Sequence, residues 1–460
     1  MNTFQEAATT VRGRLVSGGQ GTWRGVSTDT RALAPGSLFV ALKGNRFDGH
    51  QFVSEAFAQG AAGAVVSAIW EDWKRDAACA QKPLILVDDT LEALGALAAA
   101  HRAQFQIPVM AVTGSTGKTT TKDMTAHVLG KSREVLRTAE NYNNEIGVPL
   151  ALLSLTNSHR VAVIEMAMRG RGQIRYLAEM ARPSIGIITN IGPSHLELLG
   201  DLESVAQAKG ELLECIGSDG IAVLNADDSY LPSLRSLATG RVITFGIERP
   251  ADFRALEPSV ENGGRTGFRL ACAHGNADIV LPLPGRHAVY NALAAAAAVA
   301  QVGVDPLEAL GALADFEPGP GRLRLLRARR GFSIIDDCYN ASPASMAAAL
   351  AVLADLPAEH KYAALGDMRE LGREEIAFHR EAGVAAAGVG LDLLVTVGDL
   401  ARHIGLAAAE VLGTDRVVAA EDNDTAADIL LAQLTETDAV LIKGSRAMGM
   451  EHIVKRLADA

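Results

Sequence analysis

Apolar and polar positions along the chain fall into short runs with two different periods. In residues 1–88 the runs SLFVAL, AGAVVSA and PLILVDD are each only a strand long. Turn-rich stretches such as KGNRFDGH separate them, which predicts a small α/β domain. Residues 91–105 then follow a helical period and lead into IPVMAV, a strand over 109–112 that ends in a glycine-containing loop. Further on, RVAVIEM, PSIGIITNI and GIAVLNADD read as strands and ESVAQAKGELLECI as a helix. The stretch FRLACAHGNADIVLPLPG reads as a β-rich insert, and the alanine run 292–300 as a closely packed helix. Prolines and glycines in FEPGPGR, residues 316–322, mark a linker. Beyond it FSIIDD, KYAALGD, DLLVTVG, RVVAA and AVLIKG alternate with helical segments, which predicts an open, doubly wound parallel sheet. No internal repeat is visible.

The expected class is therefore α/β with three domains. These are a small N-terminal α/β domain (1–88), a central P-loop mononucleotide-binding domain (89–316) and a C-terminal Rossmann-like domain (317–460). A length of 460 residues suits that count. Composition adds little beyond exclusions: 48% hydrophobic and 21% charged residues describe an ordinary globular chain. A net charge of -11 gives no basic footprint for nucleic acid. No apolar run is long enough to span a bilayer, and MNTFQEAATTVRGRL has no secretory apolar core, so a cytoplasmic protein is expected. Cys79, Cys215, Cys272 and Cys338 lack CxxC spacing and read as small hydrophobes rather than disulfides or metal ligands.

The sharpest chemical signal is Gly114-Ser115-Thr116-Gly117-Lys118-Thr119-Thr120, which follows a strand and opens a helix. Glycines let backbone N–H groups approach phosphate oxygens, and the helix N-terminus adds positive partial charge. Lys118 would contact the β/γ-phosphates of ATP or GTP and Thr119 would ligate Mg²⁺. Val112 stands where the usual P-loop pattern has its first glycine. Taken singly, the downstream residues are ambiguous. Glu165, at the end of VAVIE, is a Mg²⁺ ligand or a surface carboxylate. His195 in TNIGPSH reads alone as a structural hydrogen-bonder. Lys209 reads alone as a solvated lysine paired with glutamate.

In order, TGSTGKTT, ENYNNEIGVP, IEM, TNIGPSHLE, AKGELLE, LNADD and GRHAVYNALAAA resemble the Mur ligase family, whose own loop carries the shortened form with Val112. The resemblance spans essentially the whole chain and implies an ATP-dependent amino-acid or peptide ligase of peptidoglycan synthesis. LGDMRELG (365–372), STDTRALAPGSLFVALKGNRFDGHQF and VLIKGSRAMGME are similar to the members that add D-alanyl-D-alanine to UDP-N-acetylmuramoyl-tripeptide. No DNPR-type motif of the ligase adding the third residue is present. The implied path passes the γ-phosphoryl group to the peptide carboxylate, and the dipeptide amine then attacks the acyl phosphate.

The resemblance also implies roles by position. Glu165 and His195 would hold magnesium, with two ions expected, and Lys209 would carry a carbamate supporting the second. Asn291 would contact adenine, with Ala288 replacing a frequent asparagine. Arg322, Asp337 and Asn340 would serve phosphate and ribose. Ser27, Thr28, Asp29 and Arg31 would lie near the UDP portion, and Asn141 and Asn144 near the muramoyl peptide. EMAMRGRGQI departs from the commoner EMGAN form, so no role carries over for 167–171. Lys443, Ser445 and Arg446 either receive the dipeptide or merely terminate a strand. The implied partners are small molecules only, bound by a monomer. Two rivals are weaker. A folylpolyglutamate synthase usually lacks the first 88 residues, and a P-loop switch seldom needs a third domain, while this chain has no NKxD guanine signature.

Overall fold

The computed structural model describes residues 3–18, 20–44, 47–69, 81–139, 142–261 and 264–460. Cys79 and Asn141 lie outside them. The chain forms two compact units. One comprises Met1–Ala111, Arg133–Met168 and Gly172–Ser184, and the other Val112–Ser132, Arg169–Arg171 and Ile185–Ala460. Its described strands lie in three sheets.

The first sheet contains β1 (Arg14–Ser17), β2 (Val26–Ser27), β3 (Leu38–Val40), β4 (Gly63–Val66) and β5 (Leu84–Leu86), in the order β1-β5-β4-β3-β2. Only β1 runs antiparallel to its neighbour. Successive residues point to opposite faces. Leu38, Val40, Val65 and Ile85 pack with the helices Phe4–Thr10 and Thr90–Arg102, while Phe39, Ala64, Val66 and Leu84 pack with Val53–Ala58. Covering both faces is why these strands read as unbroken apolar runs.

The second sheet contains β6 (Val109–Thr113), β7 (Val135–Arg137), β8 (Val161–Glu165), β9 (Ile185–Ile188), β10 (Ile221–Asn225), β11 (Arg241–Gly246), β12 (Phe253–Glu261), β13 (Arg265–Cys272) and β14 (Gly275–Leu281). Their order is β14-β13-β12-β11-β10-β9-β6-β8-β7. Strands β9 to β12 pair in parallel, and β12-β13-β14 form an antiparallel meander, the β-rich insert expected from sequence with one strand more. The alanine-rich helix Arg286–Ala300 buries eleven residues and packs on the helix Lys118–Gly130 and on β10–β13. Side chains of one carbon allow that close approach. At the far end of Lys118–Gly130, His127 Nε2 lies 2.8 Å from Asp315 Oδ1, and Lys131 Nζ lies 2.7 Å from Asp315 Oδ2. Those two partners, Lys131 first, hold the Asp315 carboxyl down at about 2. Phe316, where the linker begins, meets the His127 ring edge-on.

The third sheet contains β15 (Arg324–Arg327), β16 (Ser333–Asp337), β17 (Lys361–Gly366), β18 (Leu393–Val397), β19 (Val417–Ala420) and β20 (Ala439–Lys443), in the order β15-β16-β20-β17-β18-β19. The five expected strands, β16 to β20, pair in parallel, and a sixth that the sequence did not reveal, β15, runs antiparallel to β16. Residues 328–332 between them are too few for a crossover, so the chain folds back in a hairpin closed by Ala328 N–H on Phe332 O. Ile335, Ala363, Leu365, Leu394 and Leu441 face the helices Pro343–Asp355, Glu375–Gly388 and Ala401–Leu412. Ile334, Tyr362, Ala364, Val395, Val440 and Ile442 face Asn423–Leu431 and Glu451–Ala458. Because β20 lies between β16 and β17 but sends its helix to the other face, the loops diverge there. Such a switch point is where open α/β sheets place a crevice, at the carboxyl ends of the strands.

Candidate active site

Buried β6 delivers the chain into the glycine loop. Gly114 has φ 146° and Gly117 φ 78°, and neither could carry a side chain. An added Cβ would lie 1.9 Å from Thr189 Oγ1 at position 114 and 2.4 Å from Asn291 Oδ1 at position 117. The segment after β9 braces the loop. Ser115 N–H donates to Asn190 O at 2.9 Å, and Thr116 N–H to Asn190 Oδ1 at 3.0 Å. Thr189 and Asn190 side chains return donors to Thr116 O and Thr116 Oγ1. The helix Lys118–Gly130 starts at this point, so its positive end and first-turn N–H groups face the loop. Lys118 Nζ folds back onto Gly114 O at 2.8 Å and Ser115 O at 3.3 Å. Thr119 is buried in the first turn. Asn291 reaches the same place, its Oδ1 accepting from Thr121 Oγ1 at 3.3 Å, with Ala288 buried one turn earlier.

Two of the blander readings fail. Lys209 is not solvated: it is 2% exposed, because Val205 and Leu212, four before and three after it on Leu202–Cys215, fix the inner face. Burial pushes its pKa well below the usual range, and the Lys118 charge pushes the same way. Glu165 is not a surface carboxylate: it is 1% exposed. Its Oε1 accepts from Asn143 Nδ2 at 2.7 Å, and its N–H donates to Thr138 Oγ1 at 3.0 Å. Asn143 was missed in the sequence, although it stands in ENYNNEIGVP between the two asparagines singled out there.

His195 has φ 56°, and its Nδ1 lies 2.6 Å from Glu370 Oε2. That bond, chiefly, holds the Glu370 carboxyl below the ordinary carboxylate range. Arg169 Nη2 lies 3.9 Å from Glu370 Oε1, which gives the divergent 167–171 stretch a contact. Among the described residues no three His, Cys, Asp or Glu side chains converge into a ready cage for a metal. Taken one by one, the Thr119 hydroxyl, the buried Glu165 carboxylate and the His195 imidazole are donor types that a divalent cation accepts beside water and phosphate oxygens.

The crevice of the third sheet gathers the remaining candidates. Lys443 is buried, donating from Nζ to Asp337 Oδ2 at 2.5 Å and to Asn340 O at 3.0 Å. Its charge is therefore committed to the neighbouring strand, on which Asp337 is its register partner. Ser445 is buried too, its Oγ accepting from Arg369 N–H at 2.9 Å. Arg369 pairs with buried Asp367 at 2.7 Å, and Asp367 Oδ1 also accepts from Leu400 and Ala401 N–H. The Arg322 guanidinium stacks 3.9 Å from the Tyr339 ring centroid, and exposed Arg446 lies 5.8 Å from it. Tyr339 and Arg369 were not singled out in the sequence, because only folding brings their loops together.

In the first sheet's region, Asp29 caps the turn Thr30–Ala32 through Arg31 N–H and grips the exposed Arg31 side chain with both oxygens. Ser27 Oγ donates to Asp29 O, and Thr28 is half-buried between them. Asn144 Oδ1 accepts from Ile146 and Gly147 N–H at the start of Gly147–Leu153. Cys215, Cys272 and Cys338 are free thiols.

Three family models match along the chain: the Mur ligase family catalytic domain over 22–102, the Mur ligase middle domain over 112–299, and the Mur ligase glutamate ligase domain over 321–446. The UDP-N-acetylmuramoyl-tripeptide–D-alanyl-D-alanine ligase of Escherichia coli is 39% identical over 437 residues, 94% of this chain and 93% of that protein. A crystal structure of MurF from Acinetobacter baumannii superposes with a TM-score of 0.90 at 31% identity, covering 100% of this chain and 99% of the other. A MurF ligase structure from Thermotoga maritima in complex with ADP gives 0.82 at 28% identity, over 95% and 97%. With a glycine loop built for phosphate and a likeness that runs from end to end, the chain belongs to the Mur ligase family.

Proposed function

We propose that this protein joins D-alanyl-D-alanine to UDP-N-acetylmuramoyl-tripeptide with ATP, giving the pentapeptide precursor, ADP and phosphate. The observation that carries the reading is the near-full-length identity to ligases of that name. The braced glycine loop supports the use of ATP.

Amide formation from a carboxylate is uphill in water, so the acid must first be activated. The terminal carboxylate of the tripeptide attacks the γ-phosphorus, the bond to ADP breaks, and an acyl phosphate forms. The dipeptide amine then attacks the acyl carbon, loses a proton, and phosphate departs. The glycine loop and the helix behind it hold the phosphates, while Lys118 swings from its carbonyl partners onto the β/γ oxygens. Thr119, Glu165 and His195 would hold Mg²⁺, with a second ion supported by Lys209. Bound magnesium supplies positive charge between two anions that would otherwise repel.

Lys209 suits carbamylation because its suppressed pKa favours the neutral amine that adds to CO₂. The product places one negative charge beside Lys118. Arg322 and Asn340 serve the nucleotide, Asn291 the adenine, and Ser27, Thr28, Asp29, Arg31, Asn141 and Asn144 the UDP-muramoyl substrate. Ser445 and Arg446 flank the dipeptide, while Lys443 and Asp337 set the crevice floor. No helix among the described residues is long and apolar enough to cross a membrane. A monomer working in the cytoplasm on soluble precursors completes the reading.

The test is phosphate release from ATP and Mg²⁺ with each co-substrate alone and with both. Release only with both, matched by pentapeptide product, is expected. Release with neither, or with a single amino acid replacing the dipeptide, overturns the assignment.

A further inference from the structure

His195 and Glu370 come from different sheets of the same compact unit, yet they meet at 2.6 Å. His195 follows β9 and Glu370 follows β17. Both sit in the left-handed region, at φ 56° and 65°, where a side chain longer than asparagine's is uncommon. Two strained backbones facing one short hydrogen bond mark a contact that the surroundings hold in place. The contact is also built from the main chain. Glu197 N–H points to Glu370 O at 3.5 Å, and Gly372, at φ 68°, lies so close to Glu197 that an added Cβ would sit 3.1 Å from its Cα. Leu371 between them is buried and anchors the turn.

A carboxylate on Nδ1 does something definite to an imidazole. It takes the Nδ1 proton as its hydrogen bond and leaves the lone pair on Nε2, the arrangement that metal-ligating histidines use. We propose that Glu370 is a positioning residue: it fixes the ring of His195 so that Nε2 is presented to the divalent cation. The site's imidazole ligand is therefore aligned only when the loop after β17 is seated on the loop after β9. This rests on the reading of His195 as a magnesium ligand. It adds to that reading a partner from the third sheet, and it turns seating of that loop into a condition for metal affinity. Arg169 caps the far oxygen of Glu370 from the outside.

The experiment uses the full-length protein with Mn²⁺ as the probe, titrated by EPR in saturating ADP, for wild type, Glu370→Gln, Glu370→Asp, Glu370→Ala and His195→Ala. Removing such an outer partner typically weakens metal binding by about 10–100-fold. That range is expected for Glu370→Ala, with an intermediate loss for Glu370→Gln and partial recovery for Glu370→Asp. In the ligase assay the Mg²⁺ concentration for half-maximal rate should rise by a similar factor while kcat at saturating Mg²⁺ stays within about threefold. A role confined to packing would lower the melting temperature without that split. Unchanged Mn²⁺ affinity in Glu370→Ala and Glu370→Gln, with His195→Ala impaired, overturns the proposal and leaves the ligand reading standing. Unchanged affinity in His195→Ala as well removes the ligand reading itself. A wild type without ATP-dependent ligation, yet showing the Mn²⁺ pattern, would overturn the proposed function and spare this one.

Discussion

The glycine loop and the third sheet's crevice both lie at the carboxyl ends of strands, but they are made in opposite ways. The loop is a backbone device. Its shape comes from two glycines that nothing else could replace, and most of its bracing is main-chain N–H and C=O to Thr189 and Asn190. The crevice is a side-chain device. Lys443 on Asp337, Arg369 on Ser445 and Arg322 on Tyr339 join segments that are up to about a hundred residues apart. A site of the first kind is written in consecutive residues, whereas one of the second exists only once the sheet is ordered.

The largest effect should come from the loop's one charged side chain. Lys118→Ala should lower kcat/KM by at least about 10³-fold with an unchanged melt, since it removes charge stabilisation where phosphoryl charge develops. Ligation within tenfold of wild type would erase the distinction, leaving the loop as mere scaffold. Next is the crevice floor. Lys443→Met leaves the Asp337 carboxylate buried without its cation and should cost about 3–5 kcal/mol in urea unfolding. Adding Asp337→Asn should restore most of it, and if the double variant is as unstable as the single one, the pair is not what holds β16 to β20.

Gly117→Ala tests the backbone device itself. It should cost about 1–3 kcal/mol and weaken ADP binding measured by calorimetry, because the new methyl meets Asn291 at a strained φ. Normal ADP affinity would show that the loop tolerates a side chain. A smaller effect concerns pH. Burial, with the nearby Lys443 charge second, pushes the His287 pKa down to about 4. The unfolded chain binds a proton near 6.5 and the folded one does not, so His287 contributes stability above 6.5. That contribution is lost as pH falls toward 4, at no more than about 1.4 kcal/mol per unit. His287→Gln should flatten melting temperature against pH between 6.5 and 4. An unchanged slope would place the sensitivity elsewhere. Smallest of all, Glu451→Gln removes the exposed partner of Arg446 and should shift stability by less than about 0.5 kcal/mol. Any fall in dipeptide affinity beyond that then belongs to Arg446 and the substrate.

Legibility in the sequence follows the same division. The strands of the third sheet could be read because both faces are covered, so Ile334 and Ile335, or Ala439 to Ile442, stand as unbroken apolar runs. β15 could not be read: it is a four-residue edge strand with alternating exposure, and its charged residues look like loop. The glycine loop was legible down to the residue. Lys209 and Glu165 were not legible as buried groups, because nothing in a lysine's neighbours announces that its amine points inward until the helix has a face. Glu370 and Asn143 stood inside quoted motifs without a role, since each acts on a residue more than twenty positions away.

The helix Lys118–Gly130 begins at the glycine loop and ends by gripping Asp315 at the root of the linker. Thirteen residues at ~1.5 Å each make a rod of about 20 Å, and each residue advances its surface by about 100°. Its length is thus a gauge of both distance and angle. One inserted residue would rotate His127 and Lys131 a quarter turn away from Asp315 while leaving the phosphate end untouched. An insertion of a whole turn would keep the angle and overshoot the distance. A segment usually regarded as the support of a nucleotide loop is therefore fixed in length from its opposite end.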